Sequence, residues 1–255
     1  MNALRRKLLI VPSILLCVLM PKMQANPNHL EPIPPYDSMS TGYDQAVFTS
    51  LIGKSWASLW MIERPPFSQE YAVILGWKVE YDPNDTRPVG KREIKREQWV
   101  VEHVTPKEMI WRYKPIGEGR ETLDIRPTEE VERHYTYVTE DFAKALQEAW
   151  RSTLQLTRYA EDRRRAPDTT TLQFYCGGLF GETRSPSTGL PAMLADLGRE
   201  LRALALSDEK SKEPLLAEAD KLARKIAKEA EAEQIKLFGK KMSQITWSNV
   251  LDGKK

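Results

Sequence analysis

Cysteine is nearly absent: Cys17 and Cys176 are the only two in 255 residues. Histidine is scarce as well, with His29, His103 and His134 the full set. No histidine pair has the i, i+4 spacing of a helical zinc site and no cysteine cluster exists, so no metal site is expected. No Gly-x-Ser-x-Gly elbow occurs. Gly177-Gly178-Leu179-Phe180-Gly181 has the wrong glycine spacing for a dinucleotide loop and lacks the Lys-Ser/Thr ending of a P-loop, so no cofactor is expected. Those glycines read instead as a sharp turn after a strand. The longest apolar run, Leu8 to Met20, is shorter than the about 17–25 residues that cross a bilayer as a helix. An excess of one charge is lacking too: 38 Lys and Arg face 36 Asp and Glu. Near-neutrality argues against nucleic acid or an anionic membrane as bulk partner.

What is present begins with that apolar run. Arg5-Arg6-Lys7 precede it and Met23-Gln24-Ala25 follow, the layout of a secretory signal peptide over residues 1–25, with cleavage after Ala25. Met23 is large for its place in a cleavage site, so an uncleaved anchor is the alternative. Cys17 sits inside the apolar core, not at a lipidation boundary. Removing residues 1–25 takes away four basic residues and no acidic one, leaving 34 basic and 36 acidic side chains. It also leaves Cys176 without a disulfide partner, so the fold must rest on its core.

Residues 26–40 carry Pro27, Pro32, Pro34 and Pro35 and read as an extended tether. Residues 41–206 read as one α+β domain, with residues 207–255 supplying a last helix and tail packed on it. Ser40 or Thr41 caps a short helix ending at Gly53. Strands are expected at Trp56–Ile62 and Tyr71–Val79, joined as a hairpin, and then at Gln98–Thr105, Met109–Tyr113, Glu121–Ile125 and Arg133–Val138. The continuous apolar run from Tyr71 to Trp77 fits a strand covered on both faces.

At Thr139 the period changes to steps of three and four (Phe142, Leu146, Trp150, Leu154), predicting a helix to Arg158 that stops at Asp162–Pro167. Thr169–Cys176 is a further strand, Phe180–Leu190 a long loop, and Leu190–Leu206 and Leu215–Phe238 an antiparallel helical pair. Ser207–Lys212 joins the pair, and Pro214 stands at the front of the second helix, where its missing N–H goes unused. The fold class is therefore α+β: an antiparallel sheet of about six to seven strands, packed by one central helix and a C-terminal helical pair.

The one catalytic arrangement to weigh is Cys176 as nucleophile with His103 or His134 as base. No helix N-terminus follows Cys176 to lower its thiol pKa, and a free cysteine more commonly acts as a small buried hydrophobe. The carboxylate pairs Glu129-Glu130 and Glu229-Glu231 read as solvated surface. Of Trp56, Trp60, Trp77, Trp99, Trp111 and Trp150, most belong to the core, and an exposed one or two would form a contact site. Asn84-Asp85-Thr86 matches a glycosylation acceptor that matters only in a eukaryotic secretory route.

The favoured expectation is an exported, periplasmic or secreted, non-enzymatic binding protein, for example an inhibitor or immunity-type protein. Its partner is another protein or an envelope component, without nucleic acid, and a membrane enters only if the leader stays. The alternatives are a Cys176–His hydrolase and a membrane-anchored structural protein with an uncleaved leader.

Overall fold

Alternating and helical periods succeed one another in the computed structural model as eight strands and four helices among the described residues, which are 30–31, 42–53, 55, 57–117, 120–158 and 169–239. The order is α1 (Gly42–Leu51), β1 (Ala57–Arg64), β2 (Tyr71–Tyr81), β3 (Ile94–Pro106), β4 (Trp111–Gly117), β5 (Arg120–Ile125), β6 (Val131–Tyr137), α2 (Glu140–Leu154), β7 (Thr171–Cys176), β8 (Leu179–Arg184), α3 (Gly189–Leu206) and α4 (Glu209–Phe238). The leader, the Ser40/Thr41 cap, Trp56 and the 162–167 stop lie outside the described residues.

Six strands form one antiparallel sheet in the order β6-β3-β2-β1-β7-β8, so the fold is α+β. Its centre is buried on both faces, as the Tyr71–Leu75 run requires. On one face Leu59, Met61, Val73, Leu75, Val101, Leu172 and Phe174 meet α2, α3 and α4 in the larger core cluster. On the other, Trp60, Ile62, Ala72, Ile74 and Val104 meet Val47 and Leu51 of α1, with Ile110 and Ile125 alongside.

Local rules account for the helix ends. Thr139 caps α2 by accepting the Phe142 N–H at 3.3 Å, and Glu140 and Asp141 stand in the dipole-favoured first turn. Asp208 caps α4 by accepting the Ser211 N–H at 3.0 Å. Gly239 closes α4 with φ +70°, a left-handed position that suits glycine.

Four local expectations change. The strand at 109–113 does not join the main sheet: β4 and β5, which follow β3 and precede β6 in the chain, pair only with each other as a separate two-stranded sheet. The Phe180–Leu190 loop is mostly strand β8, joined to β7 by Gly177-Gly178, whose φ of +55° and +87° make the two-residue turn that matches strand twist. Helix α4 starts at Glu209, so Pro214 lies in its second turn and withdraws a hydrogen bond from the Lys210 carbonyl. The polar first turn hid this start from an apolar-period reading.

The tether also touches the body. Leu30 is buried, Glu31 exchanges backbone hydrogen bonds with Glu182 of β8 at 2.8 and 2.7 Å, and the Arg158 N–H donates to the Leu30 carbonyl at 3.0 Å. Gly181 makes room: a Cβ there would lie 3.0 Å from Leu30 Cδ1 and 2.8 Å from Leu154 Cδ2.

Candidate interaction surface

Cys176 lies on β7, buried, with its thiol donating to the Gln147 carbonyl at 3.7 Å. Burial pushes the thiol pKa up, so the thiol form dominates near neutrality. His103 lies on β3, and β1 and β2 stand between β3 and β7. Three strand spacings of about 4.8 Å put the two residues on the order of 14 Å apart, beyond nucleophile–base contact. His134, on β6, is one strand further away.

The two histidines meet each other instead. They are cross-strand partners with ring centroids 6.4 Å apart, His134 exposed and His103 buried. Neither ring nitrogen of His103 has a hydrogen-bond partner. Burial, helped by nearby Arg202 and His134, pushes its pKa down to about 4. Among the described residues no group of three His, Cys, Asp or Glu could hold a metal ion. A groove of about 340 Å³ between α2 and α4 is lined by Lys144, Glu148, Arg151 and Gln155 and contains neither histidine nor Cys176. Glu129 and Glu130 are exposed, as is Asn84 in its loop.

A second polar cluster holds α1 to the sheet. Arg64 of β1 pairs with Asp44 of α1 and reaches Glu182 of β8 at 3.6 Å. The Tyr43 hydroxyl donates to the fully buried Glu70 at 2.6 Å. Burial lowers the Arg64 pKa, and burial together with the Glu70 carboxylate raises that of Tyr43. Sequence order gave no hint of this cluster, because its members come from one helix, two strands and a loop.

One exposed feature is a two-stranded arm. Strand β1 pairs with β2 only as far as Gly76, and β6 pairs with β3 only from Val100. Beyond those points β2 and β3 pair as strands only with each other, from Trp77 opposite Trp99 to Tyr81 opposite Ile94, with one further backbone bond from the Val138 N–H to the Trp99 carbonyl at 2.9 Å. The hairpin thus runs on past its sheet neighbours, its base still packed through Trp99 on the core and through Lys78 and Arg96 on Tyr135 and Tyr137, and ends in its connecting loop. Of the tryptophans singled out above, Trp60 and Trp150 are core, Trp99 and Trp111 are half-buried, and Trp77 is 45% exposed. Trp77 packs edge-to-face on Trp99, centroids 5.3 Å apart, and donates through Nε1 to Glu97 at 2.7 Å.

The opposite face of the arm's base is laminated. Lys78 Nζ sits 3.2 Å from the Tyr135 ring centroid, and the Arg96 guanidinium sits 3.3 Å from that of Tyr137. The Tyr135 hydroxyl donates to Glu80 at 3.2 Å. The Tyr137 hydroxyl and the Lys78 ammonium hold the Glu80 carboxyl below its usual range. Arg133 pairs with Glu102 at 3.1 Å. At the tip, Asp85 accepts the Arg87 and Glu93 N–H groups at 3.0 and 2.7 Å and binds the Arg87 guanidinium through both oxygens, Nε on Oδ1 at 2.8 Å and Nη2 on Oδ2 at 2.6 Å. Those contacts hold its pKa well below the carboxylate range, Arg87 foremost. The loop is therefore shaped in advance.

Fold and surface together define an α+β domain with an ordered aromatic arm and no assembled nucleophile–base pair among the described residues. Comparison with protein-family models, curated proteins and solved structures finds no match.

Proposed function

We propose that the protein is an exported, non-enzymatic interaction protein of the cell envelope, acting in the periplasm or outside the cell, and that the β2–β3 arm is its contact surface for another protein. The observation that carries the reading is the arm: two strands paired as strands only with each other, an exposed Trp77 fixed by Trp99 and Glu97, and a tip organised by Asp85. Ordered aromatic and arginine side chains lose little freedom on binding, which favours them as interface anchors. Export rests on the basic-led apolar leader of residues 1–25.

The test places a photo-crosslinking benzoylphenylalanine at position 77 in the producing cell. Discrete adducts from position 77, absent when the same group replaces exposed Lys228 on α4, support the reading. Absence of adducts from position 77 removes it. Mass spectrometry of the native N-terminus reads the compartment: a chain beginning at Asn26 agrees with export, and an intact leader on cytosolic protein contradicts it.

A further inference from the structure

Helix α4 buries one stripe, Ala219, Ala223, Ile226, Ala230 and Gln234, at steps of three and four. The same stepping continues to Leu237 and Phe238, which are 44% and 47% exposed, with Ile235 near them at 45%. The inward stripe therefore runs past the end of the body that it packs on. A pocket of about 20 Å³ adjoins Leu237 and is lined mostly by apolar side chains, Leu30, Leu156, Leu190 and Pro191 among them. That volume takes the tip of one side chain and is far below the about 300–1,000 Å³ of a small-molecule site. At Gly239, a φ of +70° and an N–H donated to the Ile235 carbonyl at 2.8 Å end the helix and turn the chain off its axis.

We propose that the chain's own residues 240–255 cover this end of α4, with the apolar stretch 245–251 lying on Leu237 and Phe238 and one of its side chains entering the pocket beside Leu237. The proposal stands apart from the reading of the arm and gives the tail a defined seat. The stretch carries Ile245, Trp247, Val250 and Leu251, flanked by Lys240, Lys241, Lys254 and Lys255. At up to about 3.4 Å per residue, the chain from Gly239 to Ile245 reaches about 20 Å, ample to return over the last turn of α4. Contact there removes apolar area from water on both surfaces.

Other covers fit less well. Residues 32–41 leave from Glu31 at the β8 edge and have to join it to α1, whose core lies on the opposite face of the sheet. Residues 159–168 are dominated by Glu161, Asp162, Arg163, Arg164, Arg165 and Asp168, which lose hydration on an apolar seat and gain no partner there. For a second copy, Ile235, Leu237 and Phe238 offer far less than the about 800 Å² per partner that a stable interface buries.

The test replaces Phe238 by benzoylphenylalanine in the full chain and maps the light-induced adduct by peptide mass spectrometry. An adduct within residues 245–251 of the same chain, migrating as a monomer, is the expected result. Adducts confined to other residues, adducts to a second chain, or no adduct overturn the proposal. A stability cycle gives a second readout. Leu237→Ala/Phe238→Ala should lower the thermal midpoint of the full chain by about 2–4 °C, and by less than half as much in a chain ending at Gly239. Equal shifts in both chains overturn the proposal, because the two side chains then act without the tail. Should the chain ending at Gly239 fail to fold, Ile245→Asp/Trp247→Asp in the full chain takes its place in the cycle.

Discussion

His103 should make the protein acid-sensitive in a defined window. Its ring is 3% exposed, both nitrogens lack partners, and its pKa is about 4 in the fold against about 6.5 in an unfolded chain. A depressed folded pKa means that the unfolded state takes up the proton first. Its contribution is therefore complete above pH 6.5, falls as pH drops, and is exhausted near pH 4. At about 1.4 kcal/mol per unit the whole effect is about 3 kcal/mol, of which about 2 kcal/mol is lost by pH 5. The neighbours on every side give the cation no relief: Tyr71 from β2, His134 from β6 and Arg202 from α3.

Carboxylates titrate in the same range, so the measurement is a difference. Urea unfolding of the native chain and of His103→Leu is followed from pH 7.5 to 4.5. Near pH 7.5 the two should agree within about 1 kcal/mol, since the replacement removes two buried polar atoms that have no partner. At pH 5 the variant should gain about 2 kcal/mol on the native chain, about 1 M in urea midpoint at a slope near 2 kcal/mol per M. A stability difference that stays flat across the window would refute the reasoning.

Other perturbations read other parts of the fold. Leu30→Ala should cost about 3 kcal/mol in thermal or urea unfolding and speed amide exchange at Glu31 and Glu182, because Leu30 is buried against the β8 edge. Gly181→Ala should unseat the same side chain, so a double-mutant cycle with Leu30→Ala should fall short of additivity by at least about 0.5 kcal/mol. Arg64→Met should destabilise by about 3–5 kcal/mol, since Asp44 and Glu182 lose their largely buried counter-charge. Cys176 should resist alkylation at pH 8 in the native protein and react fully in denaturant, as burial keeps the thiol protonated.

Sequence alone determined the elements whose signal is local. The three-and-four spacing of Phe142, Leu146, Trp150 and Leu154 marked α2, and the unbroken apolar run from Tyr71 marked a strand with two covered faces. It also carries neither the spacing of a P-loop nor that of a helical zinc pair. Strand β8 was within reach, since Gly177-Gly178 between alternating residues is a hairpin signal, but the glycines of 177–189 read as loop.

Tertiary structure decided everything that depends on which strands are neighbours. Alternation assigns a residue to one face or the other without saying what lies across from it. Only the pairing of β3 with β6 set Tyr135 and Tyr137 beside Lys78 and Arg96, put His103 against His134, and left β2 and β3 paired as strands only with each other beyond Gly76 and Val100. The same order parted Cys176 from both histidines. Contacts between residues tens of positions apart are selected by burying the whole apolar surface at once, and no short window of the chain carries that information.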